Sequence, residues 1–255
     1  MSTLPRTPDF RLDGKRALVT GGTRGIGLGA AVALCEAGAA VTVLARTASA
    51  VEQTVAALRS AGHSADGAAL DVVDTAAVAA FLAARPTYDI LVHSAGGARH
   101  APFLDIAEAD YEAVIDLNLK SALFVAQAVT RRLVAEGRPG SIIFVSSQMG
   151  HVGGPRRAVY AASKFAVEGL CKAMAIELGP HNIRVNTVCP TFIETELTAT
   201  ALSDPDFRTW VLSKIKLGRL GRIEDIMGPV VFLASDAAAM ITGSALMVDG
   251  GWTAE

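Results

Sequence analysis

Cysteine is scarce: Cys35, Cys171 and Cys189 are the only three in 255 residues, widely spaced and set in apolar segments. An odd, scattered set suits reduced core thiols and gives neither a disulfide framework nor metal-ligand spacing. No metal is therefore expected. Charge is balanced, with a formal net value of -2 and no basic run longer than Arg131-Arg132 or Arg156-Arg157. Nucleic-acid binding needs a concentrated positive face, so it is not expected. No apolar run approaches the roughly 18 residues of a membrane span. Residues 1–10 are polar, with two prolines and no apolar signal core, so neither membrane insertion nor export is expected. The expected location is the cytoplasm. A flexible N-terminus (1–10) is expected ahead of one domain (11–255), since no repeat, low-complexity tract or linker divides the rest.

What is present is a chain half apolar, long enough to bury one large core. Short apolar runs alternate with helical patterns. Strands are expected at 16–20, 41–44, 68–70, 90–93, 141–145, 183–188 and 245–248. Helices are expected at 26–37, 49–60, up to 84 behind an Asp74 cap, within 110–136, at 159–178 and at 224–234. Such alternation predicts a doubly wound α/β fold of Rossmann type, a parallel sheet of about seven strands with helices on both faces. Residues 194–222 lack a strand and contain Pro205 and two glycines, Gly218 and Gly221; they read as a cover of loop and helix over a substrate.

The first strand runs into Thr20-Gly-Gly-Thr-Arg-Gly-Ile-Gly27 and then a helix. Glycines there let the backbone approach a pyrophosphate, and the helix N-terminus supplies amides and positive potential. A nucleotide is expected against Gly21, Thr23, Arg24, Gly25, Ile26 and Gly27. Where an acid would receive the ribose hydroxyls of NAD(H), the second strand ends in Ala45-Arg46. Arg46, helped by Arg24, favours the 2′-phosphate of NADP(H); an ordinary solvated arginine would leave NAD(H) open.

Tyr160 and Lys164 stand four residues apart in a predicted helix, so they share one face. A nearby ammonium favours a phenolate and brings a phenol toward the pH range of general acid–base work. The same spacing also describes an amphipathic tyrosine beside a solvated lysine, and Ser147 alone could be a turn serine beside Ser146.

Taken in order, Thr20-Gly21-x-x-x-Gly25-x-Gly27, Asp71, Ala95-Gly96, Asn118, Ser147, Tyr160-x-x-x-Lys164 and Pro190 with Ile193 and Thr195 resemble the short-chain dehydrogenase/reductase family over residues 11–251. The resemblance implies catalysis by Ser147, Tyr160 and Lys164, with Asn118 holding a water in a proton relay to Lys164. It selects Ser147 by its thirteen-residue distance from Tyr160. It implies that Asp71, next to Val72, contacts the adenine, that Ser94, Ala95 and Gly96 line the cofactor, and that Pro190, Ile193 and Thr195 hold the nicotinamide end while Lys164 binds its ribose. It also implies a homotetramer, with interfaces on the long helices around Asn118 and Tyr160 and at the C-terminus. Two residues depart from the family pattern: His93-Ser94 replaces Asn-Asn, and Thr191 follows Pro190 in place of glycine. His93 is expected to be structural, and Thr191 to narrow the nicotinamide site.

Gln148, His151 and Arg157 are expected to line the substrate pocket, though Arg156 and Arg157 could equally face solvent. Trp210 is expected either to touch substrate or to anchor the cover. The expected reaction is hydride transfer between NADP(H) and a carbonyl or secondary alcohol of a polar substrate, such as a sugar or sugar acid. A 3-oxoacyl thioester is the alternative substrate, and a non-catalytic NADP(H) sensor the alternative class.

Overall fold

The computed structural model describes residues 4–254; residues 1–3 of the expected flexible N-terminus and Glu255 at the end of the expected domain lie outside them. Residues 4–10 have no regular secondary structure, and the Phe10 ring meets Phe232 at 6.3 Å. The strands are β1 (Arg16–Thr20), β2 (Ala40–Ala45), β3 (Ala65–Ala69), β4 (Ile90–His93), β5 (Gly140–Val145), β6 (Ile183–Pro190) and β7 (Ala245–Val248). They form one seven-stranded sheet in the order β3-β2-β1-β4-β5-β6-β7, parallel throughout.

Because a parallel sheet is covered on both faces, its strands are apolar in both directions. Ala17 and Val19 of β1 point to one core with Ile90 and Val92 of β4, while Leu18 and Leu91 point to the other. Helices α1 (Gly25–Glu36), α2 (Ala48–Ser60) and α9 (Glu224–Ala234) close the first face through Leu34, Leu58, Val230 and Leu233. On the second face are α3 (Thr75–Ala83), α5 (Ser121–Ala135) and α6 (Ala158–Leu178), through Leu82, Val125, Val129, Leu133, Val167 and Cys171. Each fully buried leucine here contributes about 2 kcal/mol. The helix spanning 108–135 is long and apolar enough to cross a membrane, yet its apolar stripe is spent against the sheet.

Two features lie off the simple alternation of strand and helix. Residues 194–222 contain two helices, α7 (Glu196–Leu202) and α8 (Pro205–Lys214), and α8 is capped by Asp204. Between α4 (Glu108–Ile115) and α5, residues Asp116–Lys120 widen into a π-helical turn. Insertions of this kind recur at functional sites because they turn one side chain out of register; here that side chain is Asn118.

The sheet's winding reverses between β1 and β4, where Thr20 lies opposite His93. The Thr20 hydroxyl accepts from the Ala95 amide (3.2 Å) and meets His93 Nδ1 at 3.1 Å; His93 Nε2 meets the Ser121 hydroxyl at 3.1 Å, and Ser121 donates to the Leu117 carbonyl at 2.5 Å. With Ser121 donating onward, its oxygen must receive Nε2–H, which leaves Nδ1 to accept from Thr20. His93 is thus structural, as expected, and satisfied at both nitrogens. It is 3% exposed, and burial, with Lys164 adding repulsion, pushes its pKa down to about 3. The folded state keeps it neutral while the unfolded chain takes up a proton below about 6.5. Stability is therefore intact above 6.5 and falls as pH drops from there toward 3, by up to about 1.4 kcal/mol per unit from this residue. Thermal midpoints measured from pH 7 to 4 are expected to fall more steeply for the wild type than for His93→Asn.

Candidate active site

At the end of β1 the backbone is pinched by two contacts. Gly21 has φ +65°, and a Cβ there would lie 3.0 Å from the Ala95 backbone; a Cβ on Gly27 would collide with the Gly21 carbonyl. The Gly21 amide donates to the Leu44 carbonyl at 2.7 Å. The first turn of α1 has no side-chain cap and no acidic residue, so its free amides and the positive end of its dipole are uncompensated. Thr23, Gly25 and Ile26 are half-buried along this turn, and Gly25 stands 3.5 Å, measured from a Cβ position, from the methyl of Thr195. Arg24 and Arg46 are exposed, and no carboxylate pairs with either among the described residues. Arg46 lines a cavity of about 380 Å³ together with Asp71, Val73, Gly97, Asp116 and Leu117. Val72 is buried, and one Asp71 oxygen accepts from the Val73 amide at 3.1 Å.

The second half of the site lies on α6 and the turn after β5. Ser147 is 6% exposed and starts a short 3₁₀ turn (Gln148–Gly150), accepting from the Met149 amide and donating to Gln148 Oε1 at 2.9 Å. Tyr160 and Lys164 share a face of α6, with the ammonium 5.7 Å from the centre of the phenol ring. Lys164 is 6% exposed and donates to the Val145 carbonyl at 2.8 Å. Burial pulls its pKa down to about 8, partly opposed by Cys189 and Glu168. The expectation that Lys164 pulls the phenol's pKa down is corrected by this geometry. Burial pushes Tyr160 up, and the groups that pull it back are the Ser147 hydrogen bond and Arg157.

The Asn118 amide is anchored at both of its ends. Its Oδ1 accepts from the Gly97 amide at 2.8 Å, and its Nδ2 donates to the Gly97 carbonyl (2.9 Å) and the Ser163 hydroxyl (3.0 Å). It thereby ties the loop after β4 to α6. Gly96 lies between them, its Cβ position 3.3 Å from Asn118 Oδ1 and 3.7 Å from Lys164 Nζ. At the end of β6, Pro190 and Ile193 are buried and Thr195 caps α7 in a reciprocal pair with Thr198.

Around the phenol, Gln148 is buried and His151 sits at the rim. The two arginines divide. Arg156 takes a left-handed conformation (φ 61°) and is exposed, whereas Arg157 is half-buried. The Arg157 guanidinium lies 5.1 Å over the Phe192 ring and 3.0 Å from His100 Nε2, and His100 packs edge-on against Tyr160 at 6.1 Å. Trp210 stacks on Phe207 and meets Trp252 edge-on at 5.5 Å, so its aromatic partners are those of an anchor.

The model of the family described as enoyl-(acyl carrier protein) reductase matches residues 21–253. D-erythrulose reductase of Gallus gallus is 42% identical over 96% of this chain and 98% of its own length. The chain belongs to the short-chain dehydrogenase/reductase family. L-xylulose reductase of Bos taurus is 39% identical over 96% of this chain and 99% of its own. A gluconate 5-dehydrogenase of Burkholderia cenocepacia, solved in complex with NADP and tartrate, superposes with a TM-score of 0.93 at 39% identity, covering 96% of this chain and 98% of that one.

Within this short-chain dehydrogenase/reductase fold, the two departures have local explanations. Ser94 keeps a backbone link to Thr20, its amide meeting the Thr20 carbonyl at 3.3 Å. The Thr191 hydroxyl is buried without a partner, which leaves a polar atom beside Pro190 for a ligand to satisfy. Sequence reasoning missed His100 and Phe192; the one available signal was that each follows a strand at the carboxyl edge of the sheet. Gly27→Ala is expected to lower the thermal midpoint and to weaken dinucleotide binding at least tenfold. A thermal-shift titration checks both, and an unchanged dinucleotide affinity would contradict the pinched turn's role.

Proposed function

We propose that the chain is an oxidoreductase that transfers a hydride between NADP(H) and a carbonyl or secondary alcohol of a hydroxylated substrate, a sugar or sugar acid. One observation carries this reading: Ser147, Tyr160 and Lys164 meet at the sheet edge that also holds the pinched glycine turn. The residues fit the dinucleotide. Gly21, Thr23, Gly25, Ile26 and Gly27 form a cradle that added side chains would obstruct, and Arg24 and Arg46 offer unpaired guanidinium groups for a 2′-phosphate. Asp71 and Val72 flank the adenine position, with Ser94, Ala95 and Gly96 behind it. Pro190, Ile193, Thr195 and the unpartnered Thr191 hydroxyl serve the nicotinamide end. When bound, NADP(H) supplies or accepts the hydride; without the 2′-phosphate, NAD(H) fits the same cradle more weakly.

The rest of the chemistry belongs to the protein. Ser147 holds the substrate oxygen, and Tyr160 donates the proton in reduction and takes it in oxidation. Lys164 uses one ammonium proton on Val145, which leaves two for a ribose hydroxyl and a relay. Asn118 Oδ1 accepts one bond from Gly97, and its second lone pair would accept a relay water leading to Lys164. Arg157 points to the substrate class. A half-buried guanidinium with no carboxylate partner among the described residues is costly until an anion or several hydroxyls join it. Tartrate, a hydroxylated dicarboxylate, occurs in the complex of the Burkholderia cenocepacia relative. The acyl-thioester alternative has the description of the matching family model in its favour.

A panel of ketoses, keto sugar acids, 3-oxoacyl thioesters and aryl ketones, followed at 340 nm with NADPH, separates these readings. Tyr160→Phe is expected to cut kcat/KM by about 10²–10⁴ while NADPH still binds. Arg157→Met is expected to raise KM for keto acids roughly 10- to 100-fold, with a much smaller change for neutral ketoses. Turnover confined to thioesters or aryl ketones would reject the sugar reading. NADPH binding without turnover of any substrate would favour the sensor.

We infer further that residues 194–222 cover the substrate, clamped by Phe192, Phe207, Trp210 and Trp252. The free, buried cysteines suit a reducing cytoplasm. Phe124 on α5 and Phe165 on α6 are 40% and 50% exposed, and they suit the faces on which a homotetramer would assemble. Light scattering is expected to read four chains, and a monomer at working concentration would reject that assembly.

A further inference from the structure

Beside the hydride-transfer site, and reaching its rim through His151, lies one cluster of ligating side chains that the proposed hydride chemistry does not use. His151 follows the serine turn, Glu168 stands one turn beyond Lys164 on α6, and Cys189 is the penultimate residue of β6. They are far apart in sequence, which is why no ligand spacing is visible there. The fold brings them together as the one such trio of histidine, cysteine and acid among the described residues. Cys189 Sγ lies 3.3 Å from Glu168 Oε1 and 3.5 Å from His151 Nε2, and Nε2 lies 3.6 Å from Oε1.

Those three lengths are the edges of a coordination polyhedron. Zinc bonds of about 2.3 Å to sulfur and about 2.0–2.2 Å to nitrogen and oxygen, at tetrahedral angles, place neighbouring ligand atoms roughly 3.3–3.6 Å apart. An ion can therefore enter with ligand shifts of a few tenths of an ångström. The donor set also suits zinc in its mixture of thiolate, imidazole and carboxylate. Glu168 is already oriented: its Oε2 accepts from the Thr187 hydroxyl at 3.0 Å, which turns Oε1 toward the other two donors. A partner that fixes a ligating carboxylate in this way is a usual part of a metal site. Access is provided at the rim, where the His151 side chain is 31% exposed while Glu168 is 8% and Cys189 is 0%.

We propose that His151 Nε2, Glu168 Oε1 and Cys189 Sγ form a three-ligand site for zinc or a cation of its class, with water as the fourth ligand. Binding replaces the thiol proton, which leaves to solvent, by a sulfur–metal bond. The site then changes from a single negative charge to neutral. Glu168 follows Lys164 by one turn of α6 and His151 adjoins the serine turn, so an ion here lies behind the catalytic face.

The test uses the whole protein and cobalt as a spectroscopic probe. One equivalent of Co²⁺ is expected to give thiolate-to-cobalt charge-transfer absorption in the near ultraviolet with tetrahedral d–d bands, and equimolar Zn²⁺ should displace it. Cys189→Ala is expected to abolish the charge-transfer band, and His151→Gln to weaken Zn²⁺ binding at least tenfold by calorimetry. Cys171→Ala, which removes another buried thiol, should retain both. His151 is at the rim, so its variant remains informative if the Cys189 variant does not fold. Absence of the band in the wild type, its persistence in Cys189→Ala, or unchanged Zn²⁺ affinity in His151→Gln would overturn the proposal.

Discussion

The site depends on the reversal of winding between β1 and β4. Strands on either side of that line send their crossovers to opposite faces, so their loops part and leave a crevice at the carboxyl edge. A crevice formed this way is only as well defined as the two strands that border it. Here the border is held by a directed chain of hydrogen bonds from the Ala95 amide through Thr20, His93 and Ser121 to the Leu117 carbonyl. It joins the glycine turn, the loop after β4 and the π-helical turn. The next residue after Leu117 is Asn118, whose amide continues the join to Gly97 and α6. Nucleotide cradle and catalytic helix are thus positioned by one connected polar network inside an otherwise apolar core, where each such bond is strengthened by low dielectric and each loss is costly.

Electrostatics in the second half of the site run against a simple reading of the Tyr160/Lys164 spacing. The two residues do share a face, but the ammonium reaches the Val145 carbonyl and the phenol is eased by Ser147 and Arg157. Burial works on both residues in the same sense, disfavouring the charged form of each. The arrangement keeps the phenol protonated and ready to donate, and it holds the lysine close enough to neutrality that a nearby charge can shift it.

The fold was largely legible because parallel strands are uniformly apolar and their crossovers are helical, which makes the alternation plain even where ends differ by a few residues. β3 runs 65–69 rather than 68–70 because its pairing with β2 extends across Ala65-Asp66-Gly67, residues of low intrinsic strand preference. The cradle and the Tyr160/Lys164 pair were legible because their chemistry depends on short spacings. The π-helical turn was not, since Asp-Leu-Asn-Leu-Lys is ordinary helical sequence and its widening is imposed by contacts with Gly97 and Ser163. Arg157 was expected at the substrate pocket with solvent as the alternative, and what no local pattern encodes is the left-handed conformation of Arg156 that precedes its half-buried side chain. His100 and the His151, Glu168 and Cys189 trio depend on distances between elements, which no local pattern encodes.

Helix α6 also constrains how this protein can change over time. Tyr160, Lys164 and Glu168 stand at successive four-residue steps along it, so all three depend on a single helical register. One residue inserted or deleted between any two of them would swing those beyond it by about 100° and 1.5 Å along the axis, separating groups that the fold now brings to one face. Loops that cover the substrate can lengthen, shorten and diverge, whereas this helix can be altered only by substitution. New substrates are therefore to be reached through the cover and the rim, around a helix whose length between its functional residues is fixed.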